Sequence, residues 1–198
     1  MGNQSGHKCS EMHVRECVGF DASHLLGAPF PVTLYGGVGE KYCGKCGAVK
    51  GHIIKDPMEL IAMVAVLRAC DDMKLNGSEV KFLRKSMSYK AKDLAHKLDL
   101  DPAHLSRIEN DKKPMSLVYE KLLRAAVCLK FIETAKFIGV DVSHVLSMNI
   151  TSAKCVSKIF DLHLCLVEKD NVLRLKSHGA ADGDLVRSWE GGDPKLAI

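Results

Sequence analysis

Apolar residues between positions 78 and 129 recur at helical spacing, in four short segments separated by polar breaks. Val80, Leu83 and Met87 mark the first helix, and Ala91, Leu94, Ala95 and Leu98 the second. Leu105 and Ile108 mark the third, and Leu117, Tyr119, Leu122, Leu123 and Ala126 the fourth. Helices this short are marginal alone, so the pattern predicts that they pack on one another. Ahead of them, "DPMELIAMVAVLRAC" carries an apolar run to Cys70 that suits a buried helix. Asp56 is its cap and Pro57 its first residue, where a missing N–H costs nothing. "KLNG" breaks the run, and the cap-and-proline signal recurs at Asp101 and Pro102. A further helical run from Phe131 to Ile138 stops at Gly139.

The period changes towards both ends. "KIFDLHLCLVEKDNVLRLK" alternates, with Phe160, Leu162, Leu164 and Leu166 on one face and Asp161, His163 and Cys165 on the other. "EKDN" supplies turn residues before Val172, Leu173 and Leu175, which predicts a β-hairpin over 151–176. An apolar face on a two-stranded ribbon needs cover. Residues 177–198 read as a flexible tail. Residues 1–55 are rich in Gly, Cys and His, with strand-like stretches "PVTLYGG" and "VKGHIIK". The chain thus divides into a Cys-containing domain (1–55), a connecting helix (56–74), a helical domain (75–150), the hairpin and the tail.

Composition narrows the class. With 46% hydrophobic and 26% charged residues in 198, the chain reads as globular. No apolar run reaches the roughly 20 residues that span a bilayer, and no signal peptide is evident, so a cytoplasmic location without membrane attachment is expected. Its thiols are then available for metal rather than for bridges. The net charge of +4 is unevenly distributed: residues 74–130 hold thirteen Lys or Arg against seven Asp or Glu. Positive charge gathers where the short helices lie, which favours a phosphate-bearing partner.

The segment "DPAHLSRIENDKKP" concentrates the chemistry that such a partner needs. If Leu105 and Ile108 face inward, Ala103, His104 and Arg107 face outward, with Ser106 among them. Arg107 can pair with both acceptors of a guanine edge. Lys90, Lys92, Lys112, Lys113 and the amide of Asn110 suit phosphate oxygens. The plain alternative makes "SRIEN" a solvated helix face. Taken with "EVKFLRK", "DLAHKL" and their spacing, "HLSRIEND" resembles the helix–turn–helix of the Xre, or Cro and λ-repressor, superfamily. The resemblance implies a recognition helix over 102–110 and a close helix crossing at Ala95. Asp99 stands where that family usually has glycine in the turn, and Asp tolerates left-handed backbone better than most residues. Ile108 replaces a common tryptophan, and Ala91 a common glutamine.

"YCGKCG" places Cys43 and Cys46 at zinc-knuckle spacing, two corners of a tetrahedron that needs others. Upstream, "HKCSEMHVREC" offers His7, Cys9, His13 and Cys17; Cys9 with either His13 or Cys17 is the favoured completion. A redox pair is the competing reading, and no thioredoxin-like pattern surrounds these cysteines. Cys70, Cys128, Cys155 and Cys165 lie in apolar runs and read as small core residues.

The order of a Cys-containing domain, a helix and "GSEVKFLRK" before the helix–turn–helix resembles the MqsA-type antitoxins and their solitary regulator relatives, over roughly residues 9–130. That resemblance implies a zinc-ribbon-like domain stabilised by its metal and able to bind a protein toxin. It also implies a helical domain that forms a homodimer on palindromic double-stranded DNA. The expected fold is therefore mainly α: a five-helix Xre-type domain, a small α+β N-terminal domain and a C-terminal β-hairpin. The expected function is a dimeric, DNA-binding repressor, with an autoregulating antitoxin as the alternative. An enzyme is not expected, since "GGVGEKYCG" lacks the context of a phosphate loop and alternation accounts for "DLHLC".

Overall fold

The computed structural model describes residues 9, 11–54, 56–137, 139–140, 142–150, 160–167, 172–177 and 187–189. They form two compact units, one of residues 1–20, 33–55 and 161–198 and the other of residues 21–32 and 56–160.

The second unit is helical. Its first segment carries a short helix α1 (Ser23–Leu26) that ends at Gly27, whose φ of 64° glycine adopts without strain. Helix α2 (Pro57–Ala69) starts as its sequence predicts, with the Asp56 carboxylate accepting from the Glu59 N–H at 3.0 Å. Leu60, Val64 and Val66 are buried along it. Helices α3 (Gly77–Ser86), α4 (Ala91–Lys97), α5 (Pro102–Glu109) and α6 (Leu117–Lys130) follow, then α7 (Ile132–Phe137) and α8 (Val142–Ser147). Val80, Leu83, Met87, Leu94, Ala95, Leu98, Leu105, Ile108 and Leu123 are all buried, so the helical spacing marks a shared core. Each large apolar side chain so buried contributes about 1.5–3 kcal/mol.

Helix α6 turns a different face inward from the one its apolar residues predict. Leu117 and Leu122 are exposed, whereas Glu120 and Arg124 are fully buried. The reason lies in the α2–α3 connection, whose backbone groups need partners away from water. Arg124 donates to the carbonyls of Ala69 (3.0 Å), Asp71 and Met73 (2.6 Å), capping the end of α2. Glu120 accepts from Leu75 N–H at 2.8 Å and from Arg124 at 2.8 Å. Arg68 closes the same loop, donating to Met73 and Lys74 carbonyls and to both oxygens of Glu79. A cation at the carbonyl end of α2 also complements the helix dipole.

The first unit is built on a sheet. Strands β1 (Met12–Asp21) and β2 (Val32–Cys43) run antiparallel, with Gly44 N–H donating to Glu11 O at one end and Ala22 N–H to Val32 O at the other. Strand β3 (Val49–Ile54) pairs antiparallel with β2, Glu40 opposite His52 and Gly39 opposite Ile53. Strands β4 (Phe160–Val167), β5 (Val172–Ser177) and β6 (Arg187–Trp189) complete a six-stranded sheet of order β1-β2-β4-β5-β6, with β3 also on β2.

A mainly α fold with five helices is therefore incorrect. Among the described residues the chain has eight helices and a six-stranded sheet, a mixed α and β architecture. Strand β1 escapes the hydrophobic pattern because its outer half is exposed on both faces: Met12, His13, Val14 and Arg15 all meet solvent. The extra helices α1 and α8 have only four and six residues, too short for periodicity to reveal, whereas α7 lies within the helical run expected from Phe131. Arg187–Trp189 form a strand in the stretch expected to be a tail; residues 190–198 and 151–159 lie outside the described residues.

Candidate functional site

Two places gather the residues singled out in the sequence: the surface of α5 and the thiols around Cys43. Helix α5 begins at Asp101, whose carboxylate accepts from His104 N–H at 3.0 Å, with Pro102 in the first turn. Leu105 and Ile108 are buried beneath it. Ala103, Ser106, Arg107 and Asn110 are exposed and His104 is half-buried, so the outward face carries the residues expected there. The Asn110 amide donates to the Ser106 carbonyl at 2.7 Å and so closes the helix end, a structural duty besides any phosphate contact.

Three devices fix α5. Arg84 on α3 donates to both oxygens of Glu109, at 2.6 and 2.9 Å, and to Tyr89 O. That pair is largely out of water, and Glu109 holds the Arg84 guanidinium above its usual pKa. Glu109 is thus a support rather than a surface charge. Gly77, the first residue of α3, lies against the end of α5: a Cβ there would sit 2.3 Å from the Ile108 carbonyl oxygen. Gly77 N–H donates to Asp111 Oδ1 at 2.6 Å, fastening the turn that follows α5. Between α4 and α5, Asp99 has φ of 52°, the left-handed backbone its side chain tolerates.

Lysines frame this face. Lys90 and Lys92 at the start of α4 and Lys112 and Lys113 after α5 are all exposed. Internal pairing sharpens the charge bias. Glu109 and Glu120 are neutralised by Arg84 and Arg124, and Glu79 by Arg68 from outside the segment. The rest of residues 74–130 then holds eleven basic side chains against four acidic ones. Of those acids, Asp101 and Asp111 accept hydrogen bonds from helix N–H groups.

The thiol cluster lies at the end of β2. "CGKCG" makes a tight knuckle in which Gly47 N–H donates to Cys43 O at 2.8 Å and Cys43 N–H to Ala48 O at 3.0 Å. Gly47 has φ of 70°, and a Cβ on Gly44 would strike the His13 ring at 2.5 Å, so neither position suits a larger residue. Cys9, Cys43 and Cys46 have their sulfurs within 4.8 Å of one another and could hold a metal ion. Cys9 and Cys46 Sγ are 3.7 Å apart. Tetrahedral zinc with bonds of about 2.3 Å separates its sulfurs by roughly 3.8 Å, so the spacing fits. The hydrogen-bonded Cys46 thiol, with loss of water and the nearby Cys43, pushes the Cys9 thiol above its ordinary pKa. A cation relieves that crowding of acidic sulfurs.

The other upstream candidates are not members of this three-thiol group. His13 has Nε2 3.7 Å from Glu11 and its ring 5.8 Å from that of Tyr42, outside the cluster. Cys17 belongs to a separate group with Glu40 and His52. His7 lies outside the described residues. Sequence reasoning missed Glu40 and His52; they become neighbours only once the β2–β3 register is known. Of the other cysteines, Cys128 is buried and Cys70 partly so, their sulfurs 3.9 Å apart; Cys155 and the side chain of Cys165 are not described.

Comparison with known family models, with curated proteins and with solved structures yields no match. Among the described residues no helix is long and apolar enough to cross a membrane.

Proposed function

We propose that this chain is a sequence-specific DNA-binding regulator, acting as a homodimer that reads a palindromic operator through α5. The observation that carries the reading is the outward face of α5: Ala103, Ser106 and Arg107 exposed between two pairs of exposed lysines, over a helix fixed by buried partners. A rigid helix whose N-terminal half is small and polar suits the major groove. Arg107 reads a guanine edge, a contact worth about 1–3 kcal/mol of discrimination. Lys90, Lys92, Lys112 and Lys113 bind phosphates on either side, and the resemblance to the Xre superfamily points the same way.

Dimerisation has its own support. Val118, Leu122 and Leu129 on α6 are 66%, 43% and 57% exposed. At 100° per residue they fall within about 40° of one another, one apolar stripe along the helix. Val118 and Leu122 are the kind of surface that a second copy covers, and two copies supply the two half-sites of a palindrome.

The cluster of Cys9, Cys43 and Cys46 holds zinc in this reading. Three thiols gathered within 4.8 Å, one pair of them at 3.7 Å, suit a borderline-soft ion, and the knuckle it would tie carries few buried apolar residues of its own. Cys9, Cys43 and Cys46 would supply three of the four ligands, and the ion would fasten the β1 start to the β2–β3 turn.

Selection from a random duplex pool tests the reading. Enrichment of an inverted repeat with a guanine in each half-site, bound less tightly as salt rises, is the expected result. A pool that stays random through successive rounds refutes it.

A further inference from the structure

The sheet carries a second group of ligand-type side chains, apart from the three-thiol cluster. Cys17 on β1, Glu40 on β2 and His52 on β3 each place one ligand atom within 4.8 Å of the other two. Their positions follow from the strand register. Glu40 and His52 are direct cross-strand partners, which sets their Cβ atoms about 5 Å apart. Cys17 reaches the same face from the strand on the other side of β2. Arg15, two residues from Cys17 and so on that face, donates to Glu40 Oε1. The opposite face is apolar at this level, where Gly39 leaves room for Val14 and Ile53.

We propose that Cys17, Glu40 and His52 form a second, open site for a divalent transition-metal ion, zinc or cobalt(II) in chemical class. A thiolate, a carboxylate and an imidazole are the donor types that such ions take together. Three protein ligands leave a fourth position to water or to an exchanging ligand. Tetrahedral coordination needs ligand atoms roughly 3.4–3.8 Å apart. The exposed His52 can turn to close that gap, while Cys17 and Glu40 are half-buried and held by their strands. Glu40 already has its outer partner: Arg15 fixes one carboxylate oxygen, as second partners orient ligating carboxylates elsewhere. The Phe20 ring, 4.5 Å from that of His52 between centroids, limits how the imidazole swings. The Arg15–Glu40 pair balances its own charge, so Cys17 thiolate and the bound cation set the net charge of the site. Glu40 and Cys43 are three residues apart on β2, about 10 Å along an extended strand, so the two metal sites are separate. The site does not depend on DNA binding.

Titration of the full chain with cobalt(II), followed by the visible and sulfur-to-cobalt absorption bands and by metal analysis after gel filtration, tests the proposal. His52→Ala and Cys17→Ser should each bind one equivalent fewer than the wild-type chain, with the bands of the three-thiol cluster unchanged. Arg15→Met should weaken the same class of binding by roughly 10- to 100-fold. His52 is exposed, so its variant keeps the fold, and matching far-UV spectra verify this. Unchanged stoichiometry in both His52→Ala and Cys17→Ser overturns the site. So does a wild-type chain that binds no ion at Cys17 yet whose Cys17 thiol alkylates rapidly in a His52-dependent manner, which would mark a nucleophile instead.

Discussion

Replacing Glu109 by leucine separates the support of α5 from its surface chemistry. Arg84 and Glu109 keep only 11% and 7% of their side-chain surface exposed. The variant removes two charge-assisted hydrogen bonds and leaves a guanidinium in a poorly solvated place, with the Tyr89 carbonyl as its remaining described partner. Breaking a buried pair from one side costs about 3–5 kcal/mol, because the surviving charge is uncompensated. The residual exposure of Arg84 lets water reach it, so a loss of about 3 kcal/mol is expected. Arg84→Met with Glu109→Leu removes both charges and should recover to within about 1 kcal/mol of the parent, since well-packed apolar replacements of ion pairs are often neutral. Urea unfolding followed by far-UV circular dichroism on the parent, Glu109→Leu, Arg84→Met and the double variant gives the coupling directly. A single variant losing less than about 1 kcal/mol, or a double variant as unstable as the single losses added together, would refute the argument.

Other consequences follow from the same surfaces. Leu122→Glu places a charge on each side of the proposed α6 contact; sedimentation should then report a monomer and DNA binding should fall, while an unchanged dimer rules that contact out. Lys112→Ala removes one phosphate contact per subunit, lowering the steepness of log affinity against log salt by about 2 per dimer and weakening all sequences alike. A strong chelator should remove amide-exchange protection around residues 43–48 and leave the helical unit protected. In metal-free protein the raised Cys9 pKa means that the folded state keeps its proton while the unfolded thiol ionises. Stability of the first unit should therefore fall as pH rises through the ordinary thiol value of about 8.5, whereas zinc-loaded protein, its sulfurs already deprotonated, should show no such fall. Denaturation at about pH 7 and about pH 9.5, with and without zinc, checks both signs.

Helix starts were legible because capping is local chemistry. Asp56 and Asp101 each accept from the N–H three residues on, with proline in place behind them. The α3–α5 core was legible too, since Leu83, Leu94, Leu105 and Ile108 recur at the spacing that burial requires. Helix α6 was misread in detail. Its apolar residues exceed what its core needs; Arg124 goes inside to satisfy carbonyls, and Glu120 to accept from the Leu75 N–H, roughly fifty residues away in sequence. Strand β1 was hidden because exposed His13, Val14 and Arg15 give no face to recognise. At the thiol cluster, the knuckle spacing of Cys43 and Cys46 was plain, but whether Cys9, His13 or Cys17 joins them depends on strand register. His13 packs on Gly44 and Cys17 stands beside Glu40, which only pairing distances decide.

Arg107 is the one side chain of α5 proposed to read a base. Selection from a random duplex pool with wild-type chain and with Arg107→Ala, at matched salt and with matched far-UV spectra, compares what each protein reads. Wild-type chain should enrich an inverted repeat with a fixed guanine in each half, and the variant should lose preference at that guanine alone by about 1–3 kcal/mol. The same enriched sequence at the same affinity from both proteins would contradict that role for Arg107.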